Sequence, residues 1–192
     1  FLVEVGDLEL PFRVMQESHK GSYGHAVIVA GEKEGAALLS ALASEAFGSG
    51  LTKILKYKNP LPPNIMSATK LPQNTTALAL GMGLGSGEID VDFGDIPLVL
   101  DADMFYKESI LKFLERDNIV LTPHPKEFAS LLHIGGIGTF DIGYIQKNRL
   151  KLSRLFCKKY PQAVLLLKGA NTIITQNNLS YINPLGTAAL AK

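Results

Sequence analysis

Hydrophobic positions along the chain come in two kinds: short continuous apolar runs, and longer segments in which apolar residues recur every three to four positions. The runs are HAVIVAG (25–31), LTKILKY (51–57), TALALGMG (76–83), PLVLDAD (97–103), NIVLTP (118–123) and AVLLLKG (163–169). Their length and lack of alternation predict strands, most of them buried on both faces. The periodic segments at 35–50, 106–117, 125–133 and 141–160 predict helices. In the last of these, Asp141 suits the N-cap, and Ile142, Ile145, Leu152, Leu155 and Phe156 are expected to share a core-facing stripe. TIIT (172–175) and LSYI (179–182), joined by QNN, read as a hairpin. Strand and helix patterns in regular exchange predict an α/β domain with a mainly parallel sheet. The proline-rich stretch 58–74 reads as a surface connection.

Composition narrows the classes available. With 192 residues, 46% of them hydrophobic and 19% charged, the chain can bury a sizeable core. The formal net charge of +1 and the absence of a long Lys/Arg run argue against a nucleic-acid partner. No apolar run approaches the ~18 residues of a transmembrane helix, and FLVEVGDLELPFR lacks the order of a signal peptide. Cys157 is the single cysteine, so no disulfide framework forms within the chain, and a cytoplasmic setting is expected.

In folds of this class ligands gather beyond the carboxyl ends of the strands, and the polar and glycine-rich residues fall there repeatedly: AGEKEG, GMGLGSG, DAD, TPHPKE and KGANT. Glycines permit close backbone approach to a ligand, and they also simply end strands. Asp101 and Asp103 suit a metal or a substrate hydroxyl; equally, either suits the cap of the helix beginning near Tyr106. His124 stands between Pro123 and Pro125 where a strand pattern yields to a helix, a rigid setting for an imidazole. Glu127 falls in the first helical turn, where a carboxylate favours the helix dipole whatever its role. Lys168 closes a uniformly apolar run, and Gly169, Asn171 and Thr172 offer an amide, a carboxamide and a hydroxyl to phosphate or ribose oxygens. The competing reading is a tight turn with a solvated lysine.

The order of these pieces adds to any one of them. HKGSYGHAVIVAG, GAALLSALASEAFGSGL, GMGLG, LVLDAD, LTPHPKEFASLL, LLLKGANTII and NPLGTAALAK resemble, in that order, the ADP- or ATP-dependent NAD(P)H-hydrate dehydratases of the ribokinase-like superfamily. The resemblance implies a three-layer αβα ribokinase-like fold over residues 19–192. It also implies a repair reaction in which a nucleotide's terminal phosphoryl group, with Mg2+, activates the hydroxyl of hydrated NADH or NADPH for elimination. Lys168, Gly169, Ala170, Asn171 and Thr172 match the nucleotide-binding segment; Ala36, Gly85 and His124 match positions that hold the hydrate, with Asp101 beside them. Glu127 is implied near the metal, through water. Residues 1–18 look like the linker that follows an epimerase domain in many bacterial members. A homo-oligomer is expected, with 58–74 as a candidate contact.

The sequence departs from the family pattern in four places. Asn171 replaces a usual glycine, Met82 a usual proline, and EKEG (32–35) is shorter than the connection relatives carry. The family's glycine-rich loop, whose aspartate acts as base, is expected beyond Lys192, and without it no turnover is expected. Two other readings stand beside the dehydratase: a ribokinase-like small-molecule kinase, and a noncatalytic nucleotide-binding relative.

Overall fold

The apolar runs between residues 25 and 100 become strands β1 (His25–Val29), β2 (Leu51–Leu55), β4 (Ala77–Leu80) and β5 (Leu98–Leu100), with helix α1 (Glu34–Ala46) after β1. The computed structural model describes residues 1–9, 16–87, 89 and 92–186. A further strand, β3 (Met66–Ala68), lies in the stretch expected to be a plain connection. It pairs in parallel with β2, Lys53 opposite Met66 and Leu55 opposite Ala68. Its three residues are exposed or half-buried, so no apolar pattern marks it. The chain falls into two compact units, Leu10–Met104 and Phe1–Glu9 with Phe105–Lys192.

In the first unit the strands run in the order β3-β2-β1-β4-β5, all parallel. The chain leaves β1 toward one side and returns on the other at β4, which makes the carboxyl ends of β1 and β4 a topological switch point. Ala37 and Ala41 are fully buried, and their small side chains let α1 lie close to Ile28 and Ile54. The helix ends before Phe47, sooner than its pattern predicts, because Gly48 takes φ +102°.

The second unit holds β6 (Ile119–Leu121), α3 (Pro125–Ile134), α4 (Ile142–Lys147), α5 (Arg149–Lys159), β7 (Val164–Leu167), β8 (Thr172–Gln176) and β9 (Leu179–Asn183). Strands β6 and β7 are parallel; β7, β8 and β9 are antiparallel neighbours. The expected hairpin is present, with Asn177 at φ +52° in its two-residue turn. Residues 1–3 run along β9, Leu2 bridging Ile182. The helix expected at 106–117 is split: a 3-10 turn over Glu108–Ile110 leads into α2 (Leu111–Leu114), the only α-helical part, because Lys107 takes an extended conformation before it.

The helix expected at 141–160 is two helices, broken at Asn148. Asp141 caps the first, accepting from the Tyr144 amide at 2.9 Å. Ile145, Leu152 and Phe156 are buried as expected, whereas Ile142 and Leu155 are 43% and 44% exposed. The break interrupts the helical phase, and Ser153 and Cys157 take the inward positions that one continuous stripe assigned to others. Phe156 packs edge-on to Phe128 of α3, with ring centroids 6.1 Å apart.

Candidate active site

Within residues 105–192, β6 and β7 end side by side, and the segments that leave them are tied together. The Lys168 amide donates to the Pro123 carbonyl at 2.9 Å. His124 and Lys168 therefore leave the same edge of adjacent parallel strands, as the sequence requires if both serve one site.

His124 is the N-cap of α3, with Pro125 in the first turn. Its Nδ1 accepts from the amides of Lys126 and Glu127 at 3.1 and 3.2 Å. An Nδ1 that accepts carries no proton, so the neutral ring keeps its hydrogen on Nε2, 3.2 Å from Glu127 Oε1. Glu127 completes the box by accepting from the His124 amide at 2.8 Å through Oε2. Glu127 is only 6% exposed. Lys168 Nζ stands 3.9 Å from the same Oε2. An imidazole, a carboxylate and an ammonium thus form one chain of contacts across two strand ends.

The segment after Lys168 leaves Gly169, Ala170 and Asn171 exposed, with Gly169 at φ +156°, and the Thr172 hydroxyl donates to the Gly169 carbonyl at 3.4 Å. Beneath it lies Arg149, whose Nη2 donates to the carbonyls of Leu167 and Lys168 at 3.0 and 3.2 Å. Burial pushes this guanidinium below its ordinary pKa. Sequence reasoning missed Arg149; the signal available was a cation in the first turn of a helix, where the dipole disfavours it.

In the unit of residues 10–104 the switch point is built from two loops. The Lys33 amide donates to the Gly83 carbonyl at 2.9 Å, and the Ser86 amide to Glu32 Oε1 at 2.9 Å. Gly85 sits at φ +69°, its amide donating to Asp103 Oδ2 at 2.8 Å. The positive φ favours glycine, and a Cβ there, 2.3 Å from the Glu32 carboxyl, would also displace that side chain. Asp103 does not cap the helix near Tyr106: it lies inside a 3-10 turn, Ala102–Tyr106, and its carboxylate holds the glycine-rich loop instead. Asp101 opens that turn, its amide on the Leu80 carbonyl at 3.1 Å. Ala36, in the first turn of α1, would lie 3.1 Å from a Cβ on Gly83. Glu32 was not singled out from sequence; a carboxylate in EKEG carries no distinctive spacing.

Among the described residues no group of three His, Cys, Asp or Glu side chains could hold a metal ion. Both Glu127 oxygens already face His124 and Lys168, so these residues do not build a cation cage of their own. The leucine–alanine pair and Lys192 lie outside the described residues.

Residues 26–192 match the profile of the NAD(P)H-hydrate dehydratase family. The chain belongs to that family. As a member of it, the chain is 44% identical to the bifunctional NAD(P)H-hydrate repair enzyme Nnr of Helicobacter pylori, with 100% of this chain and 42% of that protein aligned. It is 32% identical to the ADP-dependent (S)-NAD(P)H-hydrate dehydratase of Bacillus subtilis, over 92% of this chain and 69% of the relative. The chain therefore spans less than half of the first relative. Among solved structures it superposes on the ADP/ATP-dependent NAD(P)H-hydrate dehydratase of B. subtilis, co-crystallized with ATP/Mg2+ and soaked with CoA, with TM-score 0.68 and 26% identity over 88% of this chain and 68% of that one. A ribokinase-like superfamily protein of Enterococcus faecalis gives TM-score 0.70 at 21% identity, over 93% of this chain and 69% of that one, a likeness of fold. The family member is thus an α/β protein of ribokinase-like fold. None of its described helices is long and apolar enough to cross a membrane.

Proposed function

We propose that this family member dehydrates hydrated NADH or NADPH back to the reduced dinucleotide, using a nucleoside diphosphate or triphosphate as phosphoryl donor. The observation that carries the reading is the contact chain His124–Glu127–Lys168 across the ends of β6 and β7. It puts a neutral donor suited to a hydrate's polar groups beside a cation suited to phosphate oxygens. The names of the relatives agree, and the name of the B. subtilis enzyme favours ADP.

In this reading the substrate hydroxyl attacks the terminal phosphorus. The hydroxyl proton is released and the nucleotide leaves one phosphate shorter; the C–O bond of the phosphorylated ring then breaks, inorganic phosphate departs with the bonding pair, and loss of a proton from the adjacent ring carbon restores the dihydropyridine. Such a transfer depends on positioning and on spreading charge. Lys168 supplies a mobile ammonium with three donors, and the amides after it, with Thr172, flank the phosphates. His124 presents Nε2–H, which must turn from Glu127 to reach the hydrate; in the unit of residues 10–104, Ala36, Gly85 and Asp101 are proposed, from the family resemblance, as hydrate-binding positions. Magnesium is proposed to be carried by the phosphate oxygens, with Glu127 reaching it through water. The name of the H. pylori relative supports a second repair activity, proposed as an epimerase that supplies the hydrate in the reactive configuration.

Incubation of the full-length protein with ADP and NADH hydrate tests the proposal. Equal amounts of NADH, phosphate and AMP are expected. A stable phosphorylated product would make the protein a kinase, and binding without nucleotide consumption would make it a sensor.

A further inference from the structure

Arg149 stands at an electrostatically unfavourable position. It opens α5, where the helix dipole disfavours a cation, and α5 has no acidic residue in its first turn. Its Nε is buried, without a hydrogen-bond partner among the described residues. Among the described residues its polar contacts are the two carbonyls at the end of β7, with no carboxylate to neutralise it. Leaving a partly buried cation unpaired is costly, so packing α5 on the sheet does not account for arginine here. Its position relative to Gly169 is the second observation. A Cβ on Gly169 would lie 2.7 Å from Nη2 and 2.8 Å from Cζ, so the backbone of the loop rests directly on the guanidinium.

We infer that Arg149 is a positioning residue for the phosphate-binding loop Lys168–Thr172: its Nη2 fixes the two carbonyls that start the loop, and its uncompensated charge lies under the nucleotide's phosphates. The inference rests on the assignment of that loop to the nucleotide. A bound anion supplies the counter-charge that no described residue provides. A side chain at 169 would displace the guanidinium from its place against the loop.

The test compares Arg149→Met, Arg149→Lys, Gly169→Ala and Lys168→Ala in the full-length protein, reading ADP affinity by calorimetry, hydrate KM and kcat, and ligand-free melting temperature. Arg149→Met is expected to weaken ADP binding about tenfold or more while hydrate KM stays within about twofold. Arg149→Lys keeps the charge but loses the fork, and is expected to recover part of the loss. Gly169→Ala should weaken ADP on its own and add little to Arg149→Met. Should the methionine variant fail to fold, the lysine and alanine variants carry the same test, and both must weaken ADP selectively. A folded Arg149→Met binding ADP within about twofold of the parent overturns the inference. So do losses that affect ADP and hydrate equally in step with melting temperature. Lys168→Ala separates the two levels: if it leaves ADP binding intact, the loop assignment itself is wrong, whereas its loss alone, with Arg149→Met unaffected, removes only the role of Arg149.

Discussion

At His124 an observed capping role and a proposed hydrate contact fall on one side chain, and they can be separated by substitution. The imidazole satisfies two orphan amides of α3, work usually done by Asn, Asp, Ser or Thr, and its proton is thereby placed on Nε2. His124→Ala is expected to lose about 1 kcal/mol of stability together with hydrate affinity. His124→Asn, a good cap without an Nε2–H, is expected to unfold at nearly the parental urea concentration and still show a raised hydrate KM. A parental KM in the asparagine variant would confine His124 to capping. The sequence shows the proline-flanked histidine but not this role, because histidine is not an ordinary cap and the decisive contacts depend on ring orientation. The position of Lys168 and Thr172 beyond the end of a strand was legible from the sequence. Arg149 was not, since its partners lie 18 and 19 residues away and no local pattern encodes such a reach.

Elements were more legible than contacts, and their failures share a cause. Strands with continuous apolar runs are all present, because burial on both faces leaves a dense signal. Strand β3 left none, being a three-residue edge strand. The break at Asn148 was hidden because the hydrophobic repeat continues past it, and only the exposure of Ile142 and Leu155 reveals the change of phase. Among candidate elements the glycine-rich loop after β4 gives the sharpest test. Gly85→Ala forces a Cβ against Glu32 at a φ that L-residues disfavour, and is expected to cost about 1–3 kcal/mol. Chemical denaturation should show it, with a rise in hydrate KM. If stability falls and hydrate KM does not change, the loop supports the fold and is not part of the substrate pocket.

For the molecule as a whole, the buried Cys157 reports on stability. Burial raises its thiol to about 12 from an ordinary 9.0, against the weaker opposing effect of a backbone hydrogen bond. The native state thus keeps a proton that the unfolded chain gives up first. The stabilisation is complete below about pH 9 and is lost as pH rises toward 12. Tyr160, raised by burial and by Glu115, acts in the same direction. Alkaline unfolding should therefore begin near the ordinary thiol value and be delayed in Cys157→Ala only if the cavity cost is small. In the native protein at neutral pH, Cys157 should react with a thiol reagent no faster than the chain unfolds.

The proposed reaction makes one chemical claim: a phosphoryl group is placed on the hydroxyl of the hydrated ring before that oxygen leaves. Tracing the oxygen tests this most directly. With hydrate carrying a heavy-oxygen label in the ring hydroxyl, turnover by the full-length protein with ADP should deliver the label to inorganic phosphate. Label recovered in water, with unlabelled phosphate, would contradict it.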